Sequence, residues 1–244
     1  MTTPDRRSFL KYAGVGTGAM MLGGLQLSAF AANTSPTTKS AAQDLAILNY
    51  ALTLEYIEAA FYAAFDVGGP YASKLSNARV KEYAKVLAAQ EQAHVNALVA
   101  TIKKLGGTPA AMPDLTFAPL IPDESKLNDE VFLQLAVTFE PVGTRAYLGQ
   151  ATSIMNADVL TAAASILAVE ANHVSGIQQL RTSLGYNKDI TRMSARTPQS
   201  DAKPKSTDVG DFDPNFSPMP TALWEPLTMD EVLAIVKPLF KTKA

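Results

Sequence analysis

The sequence contains no cysteine. That absence excludes disulfides, zinc ribbons, iron–sulfur clusters, cysteine nucleophiles and Cys-linked lipid anchors. Histidine is nearly absent too, with only His94 and His173, and Trp224 is the one tryptophan. Neither sign of charge is in excess: 21 Lys and Arg stand against 23 Asp and Glu, a net charge of −2. A balance this even gives no electrostatic footprint for nucleic acid, so no nucleic-acid partner is expected. Apolar residues make up 47% of the 244 residues and charged ones 18%. That supplies a core for one large domain or two small ones and argues against disorder over most of the length.

Residues 1–31 read as an address rather than as part of the fold. Arg6-Arg7-Ser8-Phe9-Leu10-Lys11 precedes a weakly apolar stretch from Tyr12 to Ser28, and Ala29-Phe30-Ala31 supplies a small-x-small cleavage site. Gly14, Gly16, Gly18, Gly23 and Gly24 dilute that stretch. A spanning helix needs about 20 well-packed apolar residues, so this is a poor anchor. A short uncleaved anchor is the competing reading. The charged stretch resembles a twin-arginine export signal, with Asp5 where Ser or Thr is usual. The resemblance implies passage through the twin-arginine machinery to the periplasm or beyond. The mature chain would be Ala32–Ala244, with a charge of about −4 and no stable membrane anchor. Because that route carries folded proteins, the resemblance also favours a cofactor loaded before export.

The remainder reads as helical to residue 184. Residues 32–40 are rich in Ser, Thr and Pro, a flexible lead-in. Ala41 to Phe65 has no Pro or Gly and predicts a first helix, ended by Gly68-Gly69-Pro70. Ser76 or Asn77 can cap a second helix that reaches Leu105 and stops at Gly106-Gly107. Residues 108–125 hold Pro109, Pro113, Pro119 and Pro122 and read as an extended crossover. Asn128 can cap a third helix, expected to reach about Met155. Asn156-Ala157-Asp158 is a turn with an N-cap for a fourth helix, which ends near Leu184 before Gly185. Two short connections and one long one predict an all-α four-helix bundle over residues 41–184, with its long crossover between helices two and three. Residues 185–244 read as a tail packed on the bundle. It is irregular over 186–227, where Phe212, Phe216 and Trp224 are the large apolar residues. Thr228-x-x-Glu231 then forms a capping box that opens a short helix to about Lys237.

Each bundle helix places a glutamate inside its apolar stripe. Helix two has Val80, Tyr83, Leu87, Glu91, His94, Leu98 and Ile102, at steps of three and four. Helix four has Leu160, Ala163, Leu167, Glu170, His173 or Val174, and Ile177. Helix one has Leu45, Leu48, Leu52, Glu55, Ala59 and Tyr62, and helix three has Leu133, Ala136, Glu140, Gly143 and Tyr147. A buried carboxylate either titrates neutral or needs a cation. No Lys or Arg falls in these stripes near the glutamates, and four carboxylates with two neutral imidazoles offset two divalent ions. Oxygen and imidazole ligands suit iron, manganese or zinc.

The spacing points the same way. Glu91-Gln92-Ala93-His94 and Glu170-Ala171-Asn172-His173 are both Glu-x-x-His, which puts both side chains on one helix face. With ten Glu in 244 residues, a Glu three places before a given His is about a 4% event. Two accidents of that kind are roughly a one-in-several-hundred coincidence. The bland competitor is a buried polar network without metal. Tyr62 and Tyr147 each follow a lone Glu by seven residues, as in a duplicated helix pair. They are candidates for a catalytic role, against the alternative of ordinary core tyrosines. Gln90 and Gln92 read as helix surface or outer support and are assigned no role.

With these motifs in place, residues 41–184 resemble the ferritin-like superfamily of di-iron and di-manganese carboxylate proteins. Leu54-Glu55-Tyr56-Ile57-Glu58-Ala59-Ala60-Phe61-Tyr62 and Ala168-Val169-Glu170-Ala171-Asn172-His173 resemble exported ferritin-like domain proteins, among them desiccation-related ones. The resemblance implies two divalent ions, iron or manganese. Glu55 and Glu140 would be single carboxylates, Glu91 and Glu170 bridging ones, and His94 and His173 terminal nitrogens. Two departures stand out. Glu58 has its own apolar row of Ile47, Ala51, Leu54 and Phe61 and is the alternative to Glu55. Glu55 is preferred because its spacing to Glu91 matches the superfamily layout better. Pro141 disfavours the α conformation at Glu140, and the resulting kink could aim that carboxylate inward or remove it from the site.

The function implied is redox chemistry on dioxygen, peroxide or ferrous iron, of ferroxidase or peroxide-dismutating type, in stress protection. The alternative is a non-enzymatic stress-protective or structural protein whose metal is stabilising or vestigial. A small-molecule oxidant or a metal ion is the expected partner, and a homo-oligomer is compatible with the pattern.

Overall fold

The computed structural model describes residues 39–186, 224 and 226–241. Residues 1–31, where an export signal is expected, nearly all of the expected lead-in, and Phe212 and Phe216 lie outside the described residues. Four long helices form the body: α1 (Ala41–Phe65), α2 (Ala78–Lys104), α3 (Asp129–Gln150) and α4 (Ala157–Ser183). A short α5 (Met229–Val236) follows near the C-terminus. Among the described residues the β structure is one isolated bridge, between Leu115 and Phe240. None of these helices is long and apolar enough to cross a membrane.

Side chains that accept from free backbone N–H groups open the helices. Ser40 caps α1, Asn77 caps α2, Asn128 caps α3 and Asn156 caps α4. α2 and α4 end alike, at Gly106 (φ 78°) and Gly185 (φ 75°), where a left-handed residue closes the last turn. The third helix is shorter than its sequence pattern suggests. It stops at Gln150, and Ala151–Ser153 form a 3-10 turn. The physical reason lies on α1. Asp44 accepts from the backbone N–H groups of Met155 (2.8 Å) and Asn156 (2.9 Å) and draws that segment out of helical register.

Asp129, in the first turn of α3, does the equivalent for the other pair. It accepts from the N–H groups of Ser76 (3.0 Å) and Asn77 (3.1 Å). The starts of α1 and α4 therefore lie at one end of the bundle, and the starts of α2 and α3 at the other. Parallel α2 and α3 need a connection running the bundle's length, about 40 Å for a 27-residue helix. The proline-bearing segment supplies it. Asn49 of α1 pins it through Ala110 N–H (2.6 Å) and the Thr108 carbonyl (3.3 Å). Phe117 of the crossover packs its ring 5.6 Å from Phe61.

The core lies between the α1–α2 and α3–α4 pairs. An aromatic cluster of Phe61, Phe65, Phe132 and Phe139 fills the end where α3 begins. α5 opens with the expected capping box, Thr228 and Glu231 each bonding the other's backbone N–H. It buries Met229, Val232 and Val236. The chain entering it crosses α3 so closely that a Cβ at Gly149 would lie 1.8 Å from the Leu227 carbonyl oxygen. Thr116 N–H bonds the Leu239 carbonyl and Lys241 N–H bonds that of Asp114, so tail and crossover hold each other.

Candidate metal centre

All four helices deliver their stripe glutamates to one place. Glu55 on α1, Glu91 on α2, Glu140 on α3 and Glu170 on α4 are each 0% exposed. His94 and His173, one turn after Glu91 and Glu170, are buried beside them with ring centroids 6.1 Å apart. α3 continues through Pro141, so the proline does not carry Glu140 out of the site. Thr144 Oγ1 donates to the Glu140 carbonyl at 3.1 Å, the bond of a helical threonine to the carbonyl four residues back.

Two overlapping groups result. Glu55, Glu91, His94 and Glu170 each offer a ligand atom within 4.8 Å of the others. Glu91, Glu140, Glu170 and His173 do the same. Glu91 and Glu170 belong to both. The Nδ1 atoms face inward: His94 Nδ1 lies 2.9 Å from Glu91, 3.2 Å from Glu55 and 3.2 Å from Glu170. His173 Nδ1 lies 3.0 Å from both Glu140 and Glu91. On its outer side His173 Nε2 meets Gln90 Oε1 at 2.6 Å.

The tyrosines cross between halves. Tyr62, on α1, donates to Glu140 on α3, and Tyr147, on α3, donates to Glu55 on α1 at 2.5 Å. Burial and the neighbouring carboxylates push both phenols well above their ordinary range, so both stay protonated donors. The step that carries Glu55 to Glu140 also carries Tyr62 to Tyr147 and Asp44 to Asp129. The bundle is thus two related helix pairs facing each other.

Its electrostatics mark a place for cations. Burial, then repulsion from Glu91, outweighs the help of His94 and lifts Glu55 to about 7. Burial and the surrounding carboxylates hold Glu170 well above the usual range. For Glu91 burial is outweighed by hydrogen bonds from His173 and His94, which bring it to about 2. Burial disfavours charge on the imidazoles, yet their carboxylate partners raise His94 to about 12 and His173 to about 11. Even with the imidazoles raised in this way, buried oxygens stay unbonded: Glu170 Oε2 and Glu58 Oε2 have no hydrogen-bond partner. Left unbonded, such oxygens are costly. Hard oxygen and imidazole donors around orphaned oxygens fit a transition-metal ion.

Glu58, the alternative to Glu55 on the sequence, is buried too but belongs to neither four-residue group. The sequence assigned no role to Gln90, and nothing in its own helix pattern would have done so. Asp44 and Asp129 went unnoticed as a pair, although laying the two Glu–Tyr spacings over each other would have matched them. No curated protein matches the chain. The sequence pattern of the ferritin-like domain matches residues 43–183, from the first turn of α1 to the last residue of α4. A bundle with this connectivity, its paired Glu-x-x-His motifs supplying the two carboxylates common to both groups, lies within that match, and the chain belongs to the ferritin-like domain family.

Proposed function

We propose that the chain holds a dinuclear centre of iron or manganese. Glu55 and His94 serve one ion, Glu140 and His173 the other, and Glu91 and Glu170 span both. The observation that carries this is the pair of four-residue groups sharing Glu91 and Glu170. Bound there, the ions supply electron exchange with dioxygen, peroxide or ferrous iron. The chain's own residues hold and insulate them. Tyr62 and Tyr147 act through Glu140 and Glu55 as positioning residues, fixing one carboxylate oxygen each. Gln90 keeps the proton of His173 on Nε2 and leaves Nδ1 for a cation. The carboxylates raise both imidazoles, so His94 and His173 would each have to give up the Nδ1 proton before holding a cation. Export through the twin-arginine pathway, inferred from Arg6 and Arg7, places this chemistry in the periplasm or outside the cell, in a stress-protective role.

A second reading rests on those same protons. His94 and His173 partly neutralise the carboxylates without metal, which suits a structural or protective protein whose metal is stabilising or vestigial. The deciding experiment is metal analysis of mature protein from its native compartment. Peroxide turnover and ferrous-iron oxidation are then assayed on the loaded protein. Two ions per chain with either activity supports the redox centre. A full metal complement without either activity supports the protective protein.

A further inference from the structure

The two halves of the site match except at one place. The step that carries Glu55 to Glu140 and Tyr62 to Tyr147 carries Glu58 onto Gly143. One half therefore has a second carboxylate where the other has no side chain at all. The structure joins these two positions. A Cβ on Gly143 would lie 3.1 Å from Glu58 Oε1 and 2.9 Å from Glu170 Oε2. Glu58 thus occupies space that a side chain at 143 would need, and it faces Glu170 there.

Glu58 is 4% exposed, and its Oε2 has no hydrogen-bond partner. No α1 packing need explains a carboxylate in that row, because Ile47, Ala51, Leu54 and Phe61 on the same row are apolar. A leucine would fill the volume without the desolvation cost. Burial and then Glu170, Glu140, Glu91 and Glu55, in that order, raise its carboxyl well above the usual range. Gly143 lies on α3 one turn after Glu140, so a Glu58 carboxylate at that position sits on the Glu140 side of the cluster.

We infer that Glu58 is a fifth carboxylate of the dinuclear centre, an additional ligand to the ion held by Glu140, Glu170 and His173, admitted by the missing side chain at Gly143. This rests on the dinuclear reading above and makes the two ion positions unequal. The His94 ion has its single carboxylate Glu55, and the His173 ion has Glu140 and Glu58. Five carboxylates exceed the charge of two divalent ions by one, which favours a more highly charged ion on the Glu58 side.

The test is anaerobic titration with Mn(II) alone of the wild type, Glu58→Gln, Glu58→Asp and Gly143→Ala. Metal-free stability is measured in parallel by denaturant unfolding. The wild type should take two ions. Glu58→Gln should weaken one of them by about tenfold or more and leave the other unchanged. Glu58→Asp should fall between, and Gly143→Ala, which crowds Glu58 and also the shared Glu170, should weaken that ion most and the other as well. Metal-free Glu58→Gln should unfold no earlier than the wild type, because an unpartnered buried carboxyl has been removed. Should Glu58→Gln fail to fold, Glu58→Asp still has to weaken one ion. Two ions bound with unchanged affinity in the Glu58 variants would overturn this inference and leave the centre standing. A wild type that binds no ion would overturn the dinuclear reading itself.

Discussion

Gln90 presents its amide oxygen 2.6 Å from Nε2 of His173, reaching from α2 to a histidine on α4. An amide oxygen only accepts, so Nε2 carries hydrogen and Nδ1 is the nitrogen turned toward Glu140 and Glu91. The matching position, before Glu170, is Val169, which has no polar group to offer His94. Gln90→Leu is expected to weaken the ion on the His173 side by roughly tenfold and spare the other. Titration with Mn(II) resolves the two positions, and equal weakening of both would contradict this assignment.

His94 and His173 each belong to one four-residue group only. His94→Ala and His173→Ala should therefore each lower metal content from two ions per chain toward one. Elemental analysis of the purified variants measures this directly. Unchanged content in both would make the paired motifs structural.

Tyr147→Phe leaves a fully buried oxygen of Glu55 without its donor, and Tyr62→Phe does the same to Glu140. Each loss should destabilise the metal-free protein by about 1–3 kcal/mol, read by denaturant unfolding. Both variants should still bind two ions, because neither phenol is a ligand. Loss of an ion in either would make that tyrosine more than a positioning residue.

Asp44 and Asp129 each tie down two backbone N–H groups at the start of a partner helix. Asp44→Ala and Asp129→Ala should each cost about 1–3 kcal/mol of stability while leaving metal stoichiometry intact. Similar losses are expected because the two aspartates hold matching positions. A large effect from one and none from the other would argue against the paired architecture as a source of stability.

Export is tested separately. Replacing Arg6 and Arg7 together by Lys should leave full-length precursor in the cytoplasm, seen by fractionation and immunoblotting. Normal export of that variant would remove the twin-arginine interpretation.

The helix pattern, the caps at Asn128 and Asn156, a cap at Ser76 or Asn77, the crossover and the Glu-x-x-His pairs were all legible in the chain. They depend on local periodicity and on hydrogen bonds within a few residues. Convergence of Glu55, Glu91, Glu140 and Glu170 could be anticipated because each interrupts an apolar stripe. Tertiary structure alone decided the rest. α3 ends early because Asp44 claims the N–H groups of Met155 and Asn156 from another helix. Pro141 leaves Glu140 inside the bundle because the packed helix continues through it. Glu58 joins the cluster because Gly143, on a different helix, leaves it room. Gln90 matters through a histidine 83 positions away. No periodicity within one segment encodes a contact between two, so these pairings exist only once the helices pack.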